Sequence, residues 1–170
     1  FTQPIDVRKD PNSHGTEGDI AQQTVVLLEL RDALNDIVEM TNTIEMVRSQ
    51  LQSLKATLSD NEGATAVIAA AAELEDKLVE LEGEFIQLKL TGRGQDAIRW
   101  PGMLGRQISY LAGKISMTDF VPTDQQMEVK QVIEEELAVH RTTYEVLISS
   151  DVAQFNQLLL QEGYQGVILP

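Results

Sequence analysis

Between Asp19 and Glu62 the chain contains neither glycine nor proline, and its apolar residues return at alternating steps of three and four. Ile20, Leu27, Leu30, Leu34, Ile37, Ile44, Val47, Leu51, Leu54 and Leu58 form this series, with polar vacancies near Gln23 and Thr41. Only a 3.6-residue repeat places such positions on one face, so the stretch predicts a single amphipathic helix of roughly 40 residues, ~60 Å long. Asp19 is suited to cap its start, because a carboxylate there accepts from N–H groups that lack an intrahelical partner.

Three further stripes follow. Val67, Ala71, Leu74, Leu78, Leu81, Phe85 and Leu88 predict a second helix, weakened locally at Gly83 and ended near Leu90 by Gly92-Arg93-Gly94. Leu104, Ile108, Leu111 and Ile115 make a short third stripe, with Pro101 suited to a first helical turn. Thr123 and Gln126 form a Thr-x-x-Gln capping box. From there Val129, Ile133, Leu137, Tyr144, Leu147, Phe155 and Leu158 trace the last helix to about Glu162, before Gly163. The tail Gly166-Val167-Ile168-Leu169-Pro170 is apolar enough to fold back onto the helices.

The expected fold is therefore all-α: an antiparallel up-down four-helix bundle over residues 19–170, with two long and two shorter helices. The long pair should protrude beyond the short pair at one end. Residues 1–18 read differently. Ile5 and Val7 alternate with Asp6 and Arg8, and Asp10-Pro11 closes the run, which is a short extended strand signal. A lone strand cannot complete its own ladder. It needs a partner outside the bundle, or it lies as an arm on the helices. Asn12 to Gly18 is a turn-rich linker.

Composition narrows the function. Thirteen Lys and Arg against 27 Asp and Glu give a net charge of −14. Sequence-independent binding to nucleic acid requires cations that displace counterions, and docking on anionic lipid requires a basic surface, so neither is expected. No apolar run reaches the ~18 residues of a transmembrane helix. Absence of cysteine removes thiol nucleophiles, disulfides and Cys-ligated zinc. The chain opens on Phe1 with no leader-like run, the pattern of a processed or excised segment.

Few residues offer chemistry. A dinuclear metal centre in a bundle uses Glu-x-x-His on two helices. Here His14 lies in the linker and His140 follows Glu136 by four, so no metal and no cofactor is expected. His140 falls on the apolar stripe and reads as a seam histidine hydrogen-bonded across the core, rather than as an exposed phosphotransfer histidine. Gln23, Thr41 and Asp151 read as polar interruptions that fix register. The clusters Glu73-Glu75-Asp76, Glu80-Glu82-Glu84 and Glu134-Glu135-Glu136 lie off the stripes and read as a solvated face. Thr91-Gly92-Arg93-Gly94 lacks the Lys-Ser/Thr of a phosphate loop. Trp100, beside Arg99 and near Arg93, reads as a plug over the bundle end or as a partner anchor, since Trp and Arg dominate hot spots.

Several local signatures occur in order: Val7-Arg8-Lys9-Asp10-Pro11, Asp19-Ile20-Ala21-Gln22-Gln23, Trp100-Pro101-Gly102-Met103-Leu104, Asp119-Phe120-Val121-Pro122-Thr123-Asp124-Gln125-Gln126 and Phe155-Asn156-Gln157-Leu158-Leu159. Together they resemble the C-terminal region of large bacterial BNR-repeat (sialidase-type) proteins, whose propellers are similar to those of sortilin and which are often labelled glycosyl hydrolases. In that family a β-propeller and a small β-rich segment ending in a Val-x-x-Asp-Pro strand precede a helical tail. The Asp-Pro is commonly followed by Arg, where this chain has Asn12.

The resemblance implies that residues 1–11 are the last strand of a preceding β segment, that any hydrolase site belongs to the propeller, and that the location is periplasmic or extracellular. The Asp-box signature Ser-x-Asp-x-Gly-x-Thr-Trp is absent, so no catalytic residue carries over. The expected function is non-catalytic: a bundle that packs on the upstream propeller of its own chain or binds a protein partner, with Ile5, Val7, Arg99 and Trp100 as interface residues. A free-standing acidic adaptor or chaperone-like protein, using an exposed groove for a partner helix, is the alternative. Whether the bundle also forms a homodimer through its exposed ends stays open.

Overall fold

The computed structural model describes residues 2–169. Phe1 and Pro170, at the ends of the expected strand and tail, lie outside the described residues. Six helical segments follow one another: α1 (Glu17–Leu58), α2 (Thr65–Phe85), α3 (Asp96–Arg99), α4 (Leu104–Ile115), α5 (Asp124–Val146) and α6 (Val152–Gln161). A single 3₁₀ turn, Glu62–Ala64, leads into α2, and a π turn, Leu147–Asp151, joins α5 to α6 without ending the helix. The molecule is thus the expected all-α bundle of two long and two shorter helices, with the four-residue α3 added between the short ones.

Five polar ties set how the helices lie. Arg48 and Lys55 of α1 pair with Glu82 and Glu75 of α2, so α2 runs antiparallel along the C-terminal half of α1. Gln23 donates to the carbonyls of Ile115 and Thr118, so the end of α4 meets the start of α1. Lys130 lies 3.0 Å from Glu29, and Lys77 lies 2.9 Å from Asp151, so α5 and α6 run back past α4 and then α2. The short helices therefore point the same way and follow one another lengthwise along the long pair. The expected protrusion of the long helices does not form, because α2 and α4 together span them. The reason is local: the connection 86–103 does not reverse the chain. Gly105 sits so near the Phe85 carbonyl that a Cβ there would come within 3.2 Å of it.

The core follows the stripes. Leu30, Ile37, Ile44, Val47 and Leu51 of α1, Leu74, Leu78 and Phe85 of α2, all four predicted residues of α4, and Ile133, Leu137, Val152, Phe155 and Leu159 of the last helix are buried together. On the last helix the buried residues step by five from Leu147 to Val152, one more than a helical turn provides. The π turn absorbs that residue: the Val152 N–H donates to the Leu147 carbonyl, five positions back.

Several expectations are corrected. No strand is present among the described residues; residues 2–10 carry no ladder, since no strand edge lies within this chain to complete one. The cap of α1 is Thr16, whose hydroxyl accepts from the Asp19 N–H while Asp19 accepts from the Thr16 N–H at 2.8 Å. The Thr16 N–H first, and then the Thr16 hydroxyl, hold the Asp19 carboxyl below its usual range. Helix α2 stops at Phe85, ahead of Leu90, because Ile86 turns extended. Helix α4 starts at Leu104, so Pro101 precedes it and is not in its first turn. On α5 only the first position of the stripe is displaced: Val129 is exposed and Lys130 is buried in its place, while Ile133 and Leu137 are buried as expected. Burial disfavours the Lys130 charge, but hydrogen bonds to Glu134 and Glu29 outweigh that and raise its pKa.

Other expectations hold. Thr123 and Gln126 form the capping box, and Gly163, at φ +80°, follows the last turn. The tail folds back as expected. Asn156 accepts from the Val167 N–H at 2.6 Å and donates to its carbonyl at 3.0 Å, while Gln50 bonds both backbone groups of Ile168.

Candidate functional site

The four residues expected at an interface fall into two places. Ile5 and Val7 lie in the N-terminal arm, 86% and 89% exposed. That arm leaves the bundle from a fixed point. The Ser13 N–H donates to the Asp10 carbonyl at 3.1 Å, Lys9 Nζ reaches the Ser13 carbonyl at 2.9 Å, and buried Gly15 is packed against the Asp119 backbone.

Arg99 and Trp100 lie in the connection between α2 and α4. Arg99 is the exposed last residue of α3, and Trp100 is partly buried beneath Lys89, whose Nζ stands 4.6 Å from the ring centroid. A cation at that distance is attracted by the ring face. The segment is pinned at both ends. Gln87 Nε2 donates to the Pro101 carbonyl at 3.0 Å. The Asp96 carboxylate accepts from the Thr91 and Arg93 N–H groups at 2.6 and 3.2 Å. These backbone bonds, Thr91 first, hold Asp96 below the usual carboxylate range. The glycine loop considered as an anion site thus cradles an anion of its own chain.

Pinned in this way, the connection forms one wall of an open cavity of about 550 Å³. Ile37 and Thr41 of α1, Phe85 at the end of α2, Trp100 and Met103 of the connection, and Arg106 of α4 are among its walls. Trp100 is therefore not a plug over the bundle end; it walls a cavity midway along α1.

His140 lies elsewhere, in a shallower groove with Lys77, Glu84 and Asp151. Its ring meets Phe85 edge-on, centroids 6.1 Å apart at 81°. The seam position is as expected, but the hydrogen bond across the core is not formed: Nε2 stands 3.9 Å from Glu84, beyond hydrogen-bond length. Among the described residues no group of three His, Asp or Glu side chains is placed to hold a metal ion. No described helix is long and apolar enough to cross a membrane.

Besides Lys130, a second buried charge escaped the sequence reading. Glu82, placed there with the solvated carboxylates, is 1% exposed and pairs with Arg48 across the α1–α2 seam. Its signal was available: Glu82 stands four residues after Leu78 and three before Phe85, and Arg48 four after Ile44 and three before Leu51. Both positions flank a buried stripe. No protein family, no curated protein and no solved structure matches this chain.

Proposed function

We propose that this chain is a non-catalytic helical module that packs, through its N-terminal arm, on a β segment of a larger protein of the BNR-repeat type. The observation that carries the reading is the arm: two aliphatic side chains, in strand-like alternation, stand in solvent beside a backbone with no ladder. An edge strand of a preceding segment would complete that ladder and cover Ile5 and Val7. Burying one such side chain contributes about 1.5–3 kcal/mol, so the two together supply a useful fraction of a docking interface. The fixed departure at Asp10–Gly15 supports the same reading, since an anchored arm loses less freedom on docking.

The test is a binding titration of this chain against the separately expressed β segment that precedes it. Ile5→Asp with Val7→Asp is expected to weaken docking at least about tenfold, a loss of ~1.4 kcal/mol or more. Unchanged affinity, or partner binding that survives deletion of residues 1–11, would instead favour the free-standing adaptor.

A further inference from the structure

The cavity beside Trp100 has three properties that the bundle does not need for its own stability. Its walls are mainly apolar, and about 550 Å³ lies within the range of small-molecule sites. Thr41, 8% exposed, is one of its lining residues, and its Oγ1 is buried with no hydrogen-bond partner. An unpaired buried hydroxyl is a cost that a bound polar group can relieve. Arg106, at the same cavity, makes no ion pair among the described residues.

The sign of charge around it is the reverse of the rest of the molecule. Residues 87–106 hold four of the 13 basic residues (Lys89, Arg93, Arg99 and Arg106) and one of the 27 acidic ones, Asp96. The stem of Arg106 also lies against the chain at Gly102. A Cβ on Gly102 would lie 2.5 Å from its Cδ and 2.8 Å from its Cγ, so the bare backbone at Gly102 is what lets the arginine stem lie across it. A guanidinium without a partner is free to recognise a carboxylate by paired N–H donation.

We propose that this cavity binds a small amphipathic carboxylate, with its apolar body against Ile37, Phe85 and Trp100 and its carboxylate on Arg106. The assignment is independent of the docking arm, which lies outside the cavity.

Trp100 is the only tryptophan, so its emission reports on the cavity wall directly. The experiment titrates the 170-residue chain with decanoate, decanol and decylamine in turn. Decanoate is expected to give a saturable change in Trp100 emission, decanol a binding at least about tenfold weaker, and decylamine none. Arg106→Gln, at an exposed position that leaves the core intact, is expected to reduce the decanoate affinity about tenfold and bring it to that of decanol. Val38→Phe narrows the cavity from its exposed rim and should block binding. Far-ultraviolet circular dichroism confirms that each variant is folded.

Equal binding of the three probes would mean a non-specific apolar surface and would overturn the proposal, as would no saturable change with decanoate. So would an Arg106→Gln affinity equal to the parent's. Arg106 also borders a cleft with Tyr110 and Lys114 on the other side of α4. Decanoate binding that survives Val38→Phe would place the ligand in that cleft and reject the cavity.

Discussion

The two halves of α1 meet different neighbours. Along its C-terminal half, α2 runs without interruption, and polar groups close what the aliphatic seam leaves open. Arg48 meets Glu82, Lys55 meets Glu75, and the tail is clamped by Asn156 and Gln50. Opposite the middle of α1, near Ile37 and Thr41, the facing helix breaks, and the connection 86–103 passes between α2 and α4. There the charges change sign and a cavity forms. A bundle seals itself where helices are continuous; where one leg is spliced from two, the splice leaves space that side chains only partly fill.

The largest effect should come from the sealed half. Arg48→Met leaves the Glu82 carboxylate buried and unpaired, and is expected to destabilise the fold by about 3–5 kcal/mol. The double variant Arg48→Met with Glu82→Met removes both charges and should recover most of that loss, since a buried ion pair often contributes little over an apolar replacement. Urea unfolding of the single and double variants measures the difference. A double variant as unstable as the single one would mean that the ion pair itself stabilises the seam well beyond an apolar replacement.

Trp100→Ala at the splice is the contrasting case. Removing the side chain of a cavity wall already open to solvent is expected to cost about 1 kcal/mol, well under the 3–5 of a fully packed aromatic. A loss as large as that of Arg48→Met would show that the ring closes the core, and the contrast between the halves would fail.

The sealed half was also the more legible. Its stripes name the buried residues because continuous helices leave one repeat to follow, and Val67, Ala71, Leu74, Leu78, Leu81 and Phe85 are all buried as the spacing requires. Glu82 was misplaced and Lys130 missed for one shared reason. Each stands at the margin of a stripe, where a long side chain can be buried if an opposite charge lies across the seam, and a single helix does not display its neighbour. The splice was least legible. Gly92, Gly94 and Pro101 announce a break, but they do not say whether the chain reverses; that depends on Phe85 and Gly105 meeting across it. The arm is a different matter, because period-two alternation specifies a strand only when an edge is present to receive it.

The smallest expected effect is electrostatic and again separates the halves. Burial alone would raise the pKa of Glu75, but hydrogen bonds from Lys55 and Gln52, together with the charges of Lys55 and Arg48, outweigh it and hold the carboxyl below its ordinary 4.5. A folded-state pKa below the unfolded one means that the unfolded chain takes up its proton first as pH falls. The stabilisation is therefore fully present above pH 4.5 and is lost as pH drops from there through the lower folded value. Glu75→Gln should lower stability modestly at neutral pH, and the gap between it and the parent should close on acidification. Thermal unfolding of both proteins across that window measures it. A gap that stayed constant with pH would assign the role of Glu75 to packing, and the sealed half would then owe less to its charged flank than to its aliphatic seam.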